Sequence, residues 1–130
     1  MIKDDFVSYD VALLLQEKGF SGYCDRYYSE KDVIVKIPNA ICIKGGTKGE
    51  PVFAPSVNMA MKWLRTKRVI IVISPAWFSG DGSCSSWYSH IWADDNFEGF
   101  DDKEFDSYEE AVEYAIRYAL ENIITKEDKE

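Results

Sequence analysis

The sequence PSVNMAMKWLRTKRVIIVISPAW, residues 55–77, predicts an amphipathic helix that leads directly into a strand. Ser56 suits the helix start, because its hydroxyl can accept a hydrogen bond from a backbone N–H that the first turn leaves without an intrahelical partner. The basic segment 65–68 suits the negative carbonyl end of the helix. Apolar residues recur at i, i+3, i+4 and i+7 and so share one helix face: Val57, Ala60, Met61 and Leu64.

The strand of this unit is residues 69–73, VIIVI. β-Branched side chains favour the extended conformation. A run without apolar and polar alternation indicates cover on both faces, so we predict a central position in the sheet. Pro75 ends the strand, because proline cannot donate to the sheet ladder.

The remaining elements follow from the same kinds of signal. Residues 8–18 form a helix between Ser8 and Gly19, residues 23–37 a hairpin that Pro38 and Asn39 interrupt, and residues 69–94 a second hairpin. Residues 40–44 either continue the preceding strand through a bulge or begin a separate strand. With a third helix starting at Ser107, the prediction is an α+β fold in the order α-β-β-α-β-β-α: a two-layer sandwich with one mainly antiparallel sheet and its helices on a single face.

Length and composition narrow the class of protein. The 130 residues are expected to form one domain, residues 1–130, with a frayed charged tail at about 125–130. Three cysteines in no metal-binding or disulfide pattern indicate reduced thiols. The first residues lack the apolar core of a signal peptide, and no apolar run approaches the roughly 20 residues that span a bilayer. We therefore expect a cytoplasmic protein with no membrane association.

The net charge of −8 is unevenly distributed. Residues 1–93 contain 11 Lys and Arg against 9 Asp and Glu, a balance of +2, whereas residues 94–130 contain 4 against 14, a balance of −10. An acidic surface repels phosphate backbones, so direct nucleic-acid binding is not expected. The acidic residues of the third helix are a candidate surface for an unidentified protein partner; the alternative is a solvated helix face. They are Glu109, Glu110, Glu113 and Glu121.

A second candidate surface is the aromatic hairpin. Tryptophan and tyrosine are enriched at binding hot spots, but they also fill the cores of small domains. His90 could stack on a ligand or act as a base, and a catalytic group with Cys84 and Asp81 is formally possible. The candidate binding residues are Trp77, Trp87, Tyr88, His90 and Trp92.

No metal site or cofactor is predicted. One histidine and three scattered cysteines do not make a coordination set. The segment GGTKG, residues 45–49, lacks the GK[ST] spacing of a phosphate loop, so we interpret it as a connecting loop.

Several segments resemble a group of small proteins found in gut Bacteroides genomes and in their phages or prophages. They are APSVNMAMKWLR (residues 54–65), the pair Trp87 and Tyr88, and the helix start Tyr108, Glu109, Glu110 and Ala111. The likeness covers most of the chain from Val7 onward. The group has no assigned activity, so the resemblance transfers no catalytic or binding residue. It implies a mobile-element context, in which a small interaction module is a reasonable expectation.

Two functions from different classes follow. The first is a non-catalytic protein-interaction module that uses the aromatic hairpin or the acidic third helix as its binding surface. In a more specific form of this hypothesis, the acidic surface binds a basic protein in place of a nucleic-acid backbone. The second is a small-molecule or peptide binder, or an enzyme of hydrolase type, with its site around His90. Neither hypothesis assigns catalytic residues, and the sequence does not determine the oligomeric state.

Overall fold

A computed structural model describes residues 6–31, 33–43, 52–75, 86–93, 96–99 and 104–124, the backbone alone for 96–99. Three helices and six strands alternate within these residues in the order α-β-β-β-α-β-β-β-α, and every strand pairing is antiparallel. The predicted α+β class is therefore confirmed. The elements are α1 (Tyr9–Glu17), β1 (Gly22–Glu30), β2 (Val33–Ile43), β3 (Val52–Phe53), α2 (Val57–Thr66), β4 (Val69–Pro75), β5 (Trp87–Ala93), β6 (Asn96–Gly99) and α3 (Tyr108–Asn122).

Each helix begins after a serine that caps it, as the sequence predicts. The serine Oγ accepts a hydrogen bond from the N–H three residues further on, which satisfies a donor of the first turn. The pairs are Ser8 with Val11 at 3.3 Å, Ser56 with Met59 at 3.1 Å and Ser107 with Glu110 at 3.1 Å.

The end of α1 also follows the sequence signal. Gly19 has a φ of 89°, a left-handed conformation that glycine adopts without steric penalty. The Phe20 N–H then donates to the Leu15 carbonyl at 2.9 Å, and the Phe20 ring is buried. The reversal after the helix is thus both hydrogen-bonded and packed.

The six strands form two sheets where the sequence predicted one. The first sheet has the order β2-β1-β3 and the second the order β4-β5-β6. The sequence predicts neither β3, which is only two residues long, nor β6, which has four residues. Short strands give too few residues for an alternation pattern to be visible.

The position predicted for β4 is wrong. β4 pairs only with β5 among the described strands and lies at the edge of its sheet. Ile70 and Val72 are 48% and 40% exposed, whereas Val69 is buried. The run of β-branched residues correctly marked a strand, but such a run does not determine which strands flank it.

Of the two alternatives for residues 40–44, the structure shows the continuous strand as far as Ile43, because β2 runs without interruption from Val33 to Ile43. Its register on β1 shifts between the pairs Cys24–Ile41 and Arg26–Lys36. The extra residues on β2 include a proline, which cannot take part in a regular ladder.

The buried core joins the helices to both sheets. Leu15 of α1, Leu64 of α2 and Leu120 of α3 are at most 1% exposed, and they share one cluster with Cys24 of β1 and Ile91 of β5. Helix α3 packs on α1 and on the second sheet. This packing places the beginning of α3 against β5, where the predicted surface residues meet.

Candidate functional site

The start of α3 is fixed on strand β5 by hydrogen bonds. The buried Ser89 hydroxyl donates to the Ala111 carbonyl at 2.7 Å. Just before the helix, the backbones of Trp87 and Phe105 exchange two hydrogen bonds, each 2.9 Å long. These contacts hold the first turn of α3 in one position relative to the sheet.

Aromatic rings reinforce the same junction. The rings of Trp87 and Tyr108 meet edge to face, with centroids 5.4 Å apart and an interplanar angle of 89°. The rings of Phe105 and Tyr114 lie 5.1 Å apart. Such ring pairs stabilise beyond the area that they bury. The aromatic strand and the acidic helix, which the sequence offered as separate candidates, are therefore in contact at Tyr108.

Three carboxylates lie in the first two turns of α3, and we call Glu109, Glu110 and Glu113 the acidic surface. Glu109 and Glu110 are exposed in the first turn, where the helix dipole favours negative charge. Glu113 is half-buried and lies four residues after Glu109 and three after Glu110, so all three carboxylates are near neighbours on the helix. Like charges at these spacings repel each other by a few tenths of a kcal/mol.

Helix α1 holds one of these carboxylates in place. The Ser8 hydroxyl donates to Glu113 Oε2 at 2.7 Å while it also caps α1. One turn further along α3, Arg117 pairs with Asp10 of α1 at 3.1 Å. The cation nearest to Glu113 on α3 is therefore paired with a carboxylate of α1.

An apolar cavity of about 150 Å³ opens beside the acidic surface. Its inner walls are side chains at most 1% exposed, and more exposed residues, among them Tyr108 and Glu109, line it nearer to solvent. It lies where α1, the start of α2 and the start of α3 converge. The lining residues are Phe6, Val7, Val11, Val57, Tyr108, Glu109, Val112, Glu113 and Ile116.

A wider and shallower depression lies on the other side of the same carboxylates. It has a volume of about 460 Å³ and is lined by all three members of the acidic surface together with Phe105, Tyr114 and Arg117. Glu109 and Glu113 line both this depression and the apolar cavity. The carboxylates of Glu109 and Glu113 therefore lie between this acidic depression and the apolar cavity.

The aromatic candidates do not share one surface. Strand β5 alternates with the two-residue period of a strand: Ser89 and Ile91 are buried, and the intervening side chains point outward. Trp87 lies on the side of the buried residues and packs on Tyr108, whereas Tyr88, His90 and Trp92 lie on the opposite face. Trp77 is outside the described residues.

The outer face of the second sheet carries exposed apolar side chains. Ile70 pairs across the strands with Trp92, and Val72 pairs with His90. Trp92 is 46% exposed, close to the values for Ile70 and Val72. Tyr88, on the same face, donates its hydroxyl to Glu104 at 3.3 Å. This face is a second candidate surface, separate from the acidic one.

Glu121, the fourth acidic candidate, is exposed near the end of α3. It lies eight residues after Glu113, which is about 12 Å along the helix axis at 1.5 Å per residue. The structure therefore brings together three of the four predicted acidic residues and separates the fourth.

The remaining chemical candidates add little to this site. Cys84 and Asp81, the proposed partners of His90, are outside the described residues. Burial raises the pKa of the Cys24 thiol, which donates to the Arg26 carbonyl at 3.0 Å.

Within the described part of the chain, no three His, Cys, Asp or Glu side chains are grouped so that they could hold a metal ion, and no helix has the length and hydropathy to cross a membrane.

The residues that sequence reasoning missed are those that build the cavity. Phe6, Val7 and Val57 come from segments far from α3 in sequence. Ser8 was recognised as a cap, but its bond to Glu113 spans 105 residues. No local spacing carries that information.

The fold and site define a small α+β protein with an acidic helix start beside an apolar cavity. Comparisons with known proteins found no matching family model, curated protein or solved structure.

Proposed function

We propose that this chain is a non-catalytic protein-interaction module of the cytoplasm that binds a basic partner protein through the acidic surface. The observation that supports this most directly is the position of Glu109 and Glu113 between an apolar cavity and an acidic depression. Interfaces derive most of their affinity from a small central group of well-packed contacts, with charged residues around it setting specificity and association rate. The resemblance to proteins of gut Bacteroides and their phages supports a mobile-element origin as part of this proposal.

The alternative of a solvated helix face is less well supported, because Glu113 and the start of the helix that carries the acidic surface are held in place. Glu113 is hydrogen-bonded to Ser8, and the helix start is hydrogen-bonded to β5 through Ser89. A partner that binds such pre-ordered side chains loses less conformational entropy than one that must order them.

Affinity capture with charge-altered variants tests the proposal. The tagged protein is used to capture partners from a Bacteroides lysate at low and moderate salt, and the variant Glu109→Lys/Glu110→Lys/Glu113→Lys is compared with the parent. Glu121→Lys is the matched control, because it reverses a charge on the same helix away from the acidic surface. We expect one basic protein to be captured by the parent and by the control, to be lost from the triple variant, and to decline as salt screens the charges. Equal capture by the triple variant would contradict the proposal.

A second candidate function is peptide binding on the outer face of the second sheet. It is favoured by the exposed pair Ile70 and Trp92 and by Val72 beside His90. The double variant Ile70→Thr/Trp92→Thr keeps β propensity and removes the apolar contact surface. Loss of partner capture in this variant, with the triple acidic variant unaffected, would favour the outer face over the acidic surface.

A further inference from the structure

We infer that the apolar cavity receives one apolar side chain of the partner, carried next to a Lys or Arg that binds Glu109 and Glu113. This inference rests on the proposed function and names the chemistry of the partner segment: a basic peptide stretch with a single aromatic or aliphatic anchor. It follows from the size of the cavity, the charge beside it and the rigidity of its walls.

The size of the cavity selects a single side chain. Its volume is about 150 Å³. A dry apolar cavity of about this volume in another protein holds one benzene molecule, whereas sites for drug-sized ligands and cofactors begin at about 300 Å³. The enclosed volume therefore suits one phenylalanine or leucine side chain.

The inner walls are apolar and fixed. Val7, Val11, Val112 and Ile116 are each 1% exposed. The backbone of Val7 is held at both polar groups: its N–H donates to the Pro55 carbonyl at 3.1 Å, and its carbonyl accepts from the Tyr28 hydroxyl at 2.7 Å. A preformed apolar pocket of this kind is where binding hot spots occur.

Charge complementarity selects the neighbour of the anchor. Glu109 and Glu113 line the cavity and are spaced i, i+4, so their carboxylates repel each other in the unbound protein. A Lys or Arg of the partner placed between them relieves this repulsion. Arg26 stacks over the ring of Phe6, at 4.7 Å from the ring centroid, and is paired with Asp25 at 3.0 Å rather than with either glutamate.

Three short peptides test the inference on the full chain. The probe is acetyl-Gly-Lys-Phe-Lys-Gly-amide; one control replaces its phenylalanine with alanine, and the other replaces both lysines with glutamate. Binding is measured by amide chemical shifts in the protein at millimolar peptide. Burial of a phenylalanine ring contributes about 1.5–3 kcal/mol, so the alanine peptide is expected to bind at least about tenfold more weakly. Shifts should be centred on Val57, Val112 and Glu113.

Protein variants separate the cavity from the charges. Val57→Phe fills the cavity from its half-exposed wall, and Met61→Phe enlarges a side chain one turn further along α2, outside the cavity. We expect the Val57→Phe protein to bind the phenylalanine and alanine peptides equally, whereas the Met61→Phe protein retains the preference for the phenylalanine peptide. Glu109→Gln and Glu113→Gln should each weaken the lysine peptides by about threefold, as exposed ion pairs do, and Gln at 113 keeps an acceptor for Ser8. If the Val57→Phe protein does not fold, Val57→Leu is used in its place, because the leucine side chain fills a smaller part of the cavity.

Each contrary result overturns the inference in a different way. Equal binding of the phenylalanine and alanine peptides by the parent, or the absence of shifts at the cavity, would show that no anchor enters it. A concentration-dependent dimer that Val57→Phe dissociates would show that a second copy occupies the cavity. If the triple acidic variant loses its captured partner while Val57→Phe captures it normally, the proposed function stands and the cavity inference falls.

Discussion

Replacing Ser8 tests the contact that joins α1 to the acidic surface. Its hydroxyl accepts from the Val11 N–H at 3.3 Å and donates to Glu113 Oε2 at 2.7 Å. Loss of an N-cap costs about 1 kcal/mol, and loss of a partly exposed hydrogen bond to a carboxylate costs about 1 kcal/mol more. The expected destabilisation of Ser8→Ala is therefore about 2 kcal/mol.

This free energy can be converted into a change in melting temperature. The entropy of unfolding is about 2.1 cal/mol/K per residue, so a chain of 130 residues loses about 4 °C of Tm for each kcal/mol. Ser8→Ala should then lower the Tm by about 7 °C in a calorimetric or circular dichroism melt.

A second substitution separates the two roles of the hydroxyl. Ser8→Asp keeps a side-chain oxygen that caps α1, but it removes the donor and places a second carboxylate against Glu113. We expect Ser8→Asp to be destabilised and Ser8→Asp/Glu113→Gln to recover, since the glutamine amide can donate to the aspartate. A Tm within about 2 °C of the parent for both Ser8→Ala and Ser8→Asp would refute this account of the junction.

Three further predictions concern the packing that supports the site. Ser89→Ala removes the buried hydrogen bond to the Ala111 carbonyl and should lower the free energy of unfolding by about 1–2 kcal/mol in urea titrations, whereas an unchanged midpoint would mean that α3 is not held through this bond. Leu64→Ala removes a fully buried side chain of the shared core and should cost about 3 kcal/mol or more by the same titration; a loss below about 1 kcal/mol would contradict the described packing. Burial raises the pKa of the Cys24 thiol, so the folded state favours the protonated form and stability should fall as pH rises above the ordinary value of 9.0. Cys24→Ala lacks this contribution, and parallel stability curves for parent and variant above that pH would show that the thiol is not perturbed.

Local signals predicted much of the fold because their physical causes are local. The three serine caps depend on a hydroxyl and an N–H three residues apart, and both belong to one segment of sequence. The turn at Gly19 and Phe20 depends on the freedom of one glycine and on a neighbouring apolar ring. The alternation of β5 depends on the two-residue period of a strand.

The errors arose where the determining contact is distant in sequence. The edge position of β4 depends on which strands pair with it. The sequence at Ile70 and Val72 does not show whether these side chains are covered or exposed. The separation of Trp87 from Tyr88, His90 and Trp92 was implied by the alternation, but that Trp87 meets Tyr108 depends on the packing of α3. The cavity could not be predicted at all, since its walls come from three helix starts that only the tertiary fold brings together.

The central claim is that the acidic surface binds a basic partner. The most direct measurement is the dissociation constant of the captured partner as a function of salt, for the parent and for Glu109→Gln/Glu110→Gln/Glu113→Gln. Three exposed ion pairs that contribute about threefold each predict weakening of about 30-fold at low salt, with a flatter salt dependence in the variant. The same affinity and the same salt dependence in both proteins would contradict the claim.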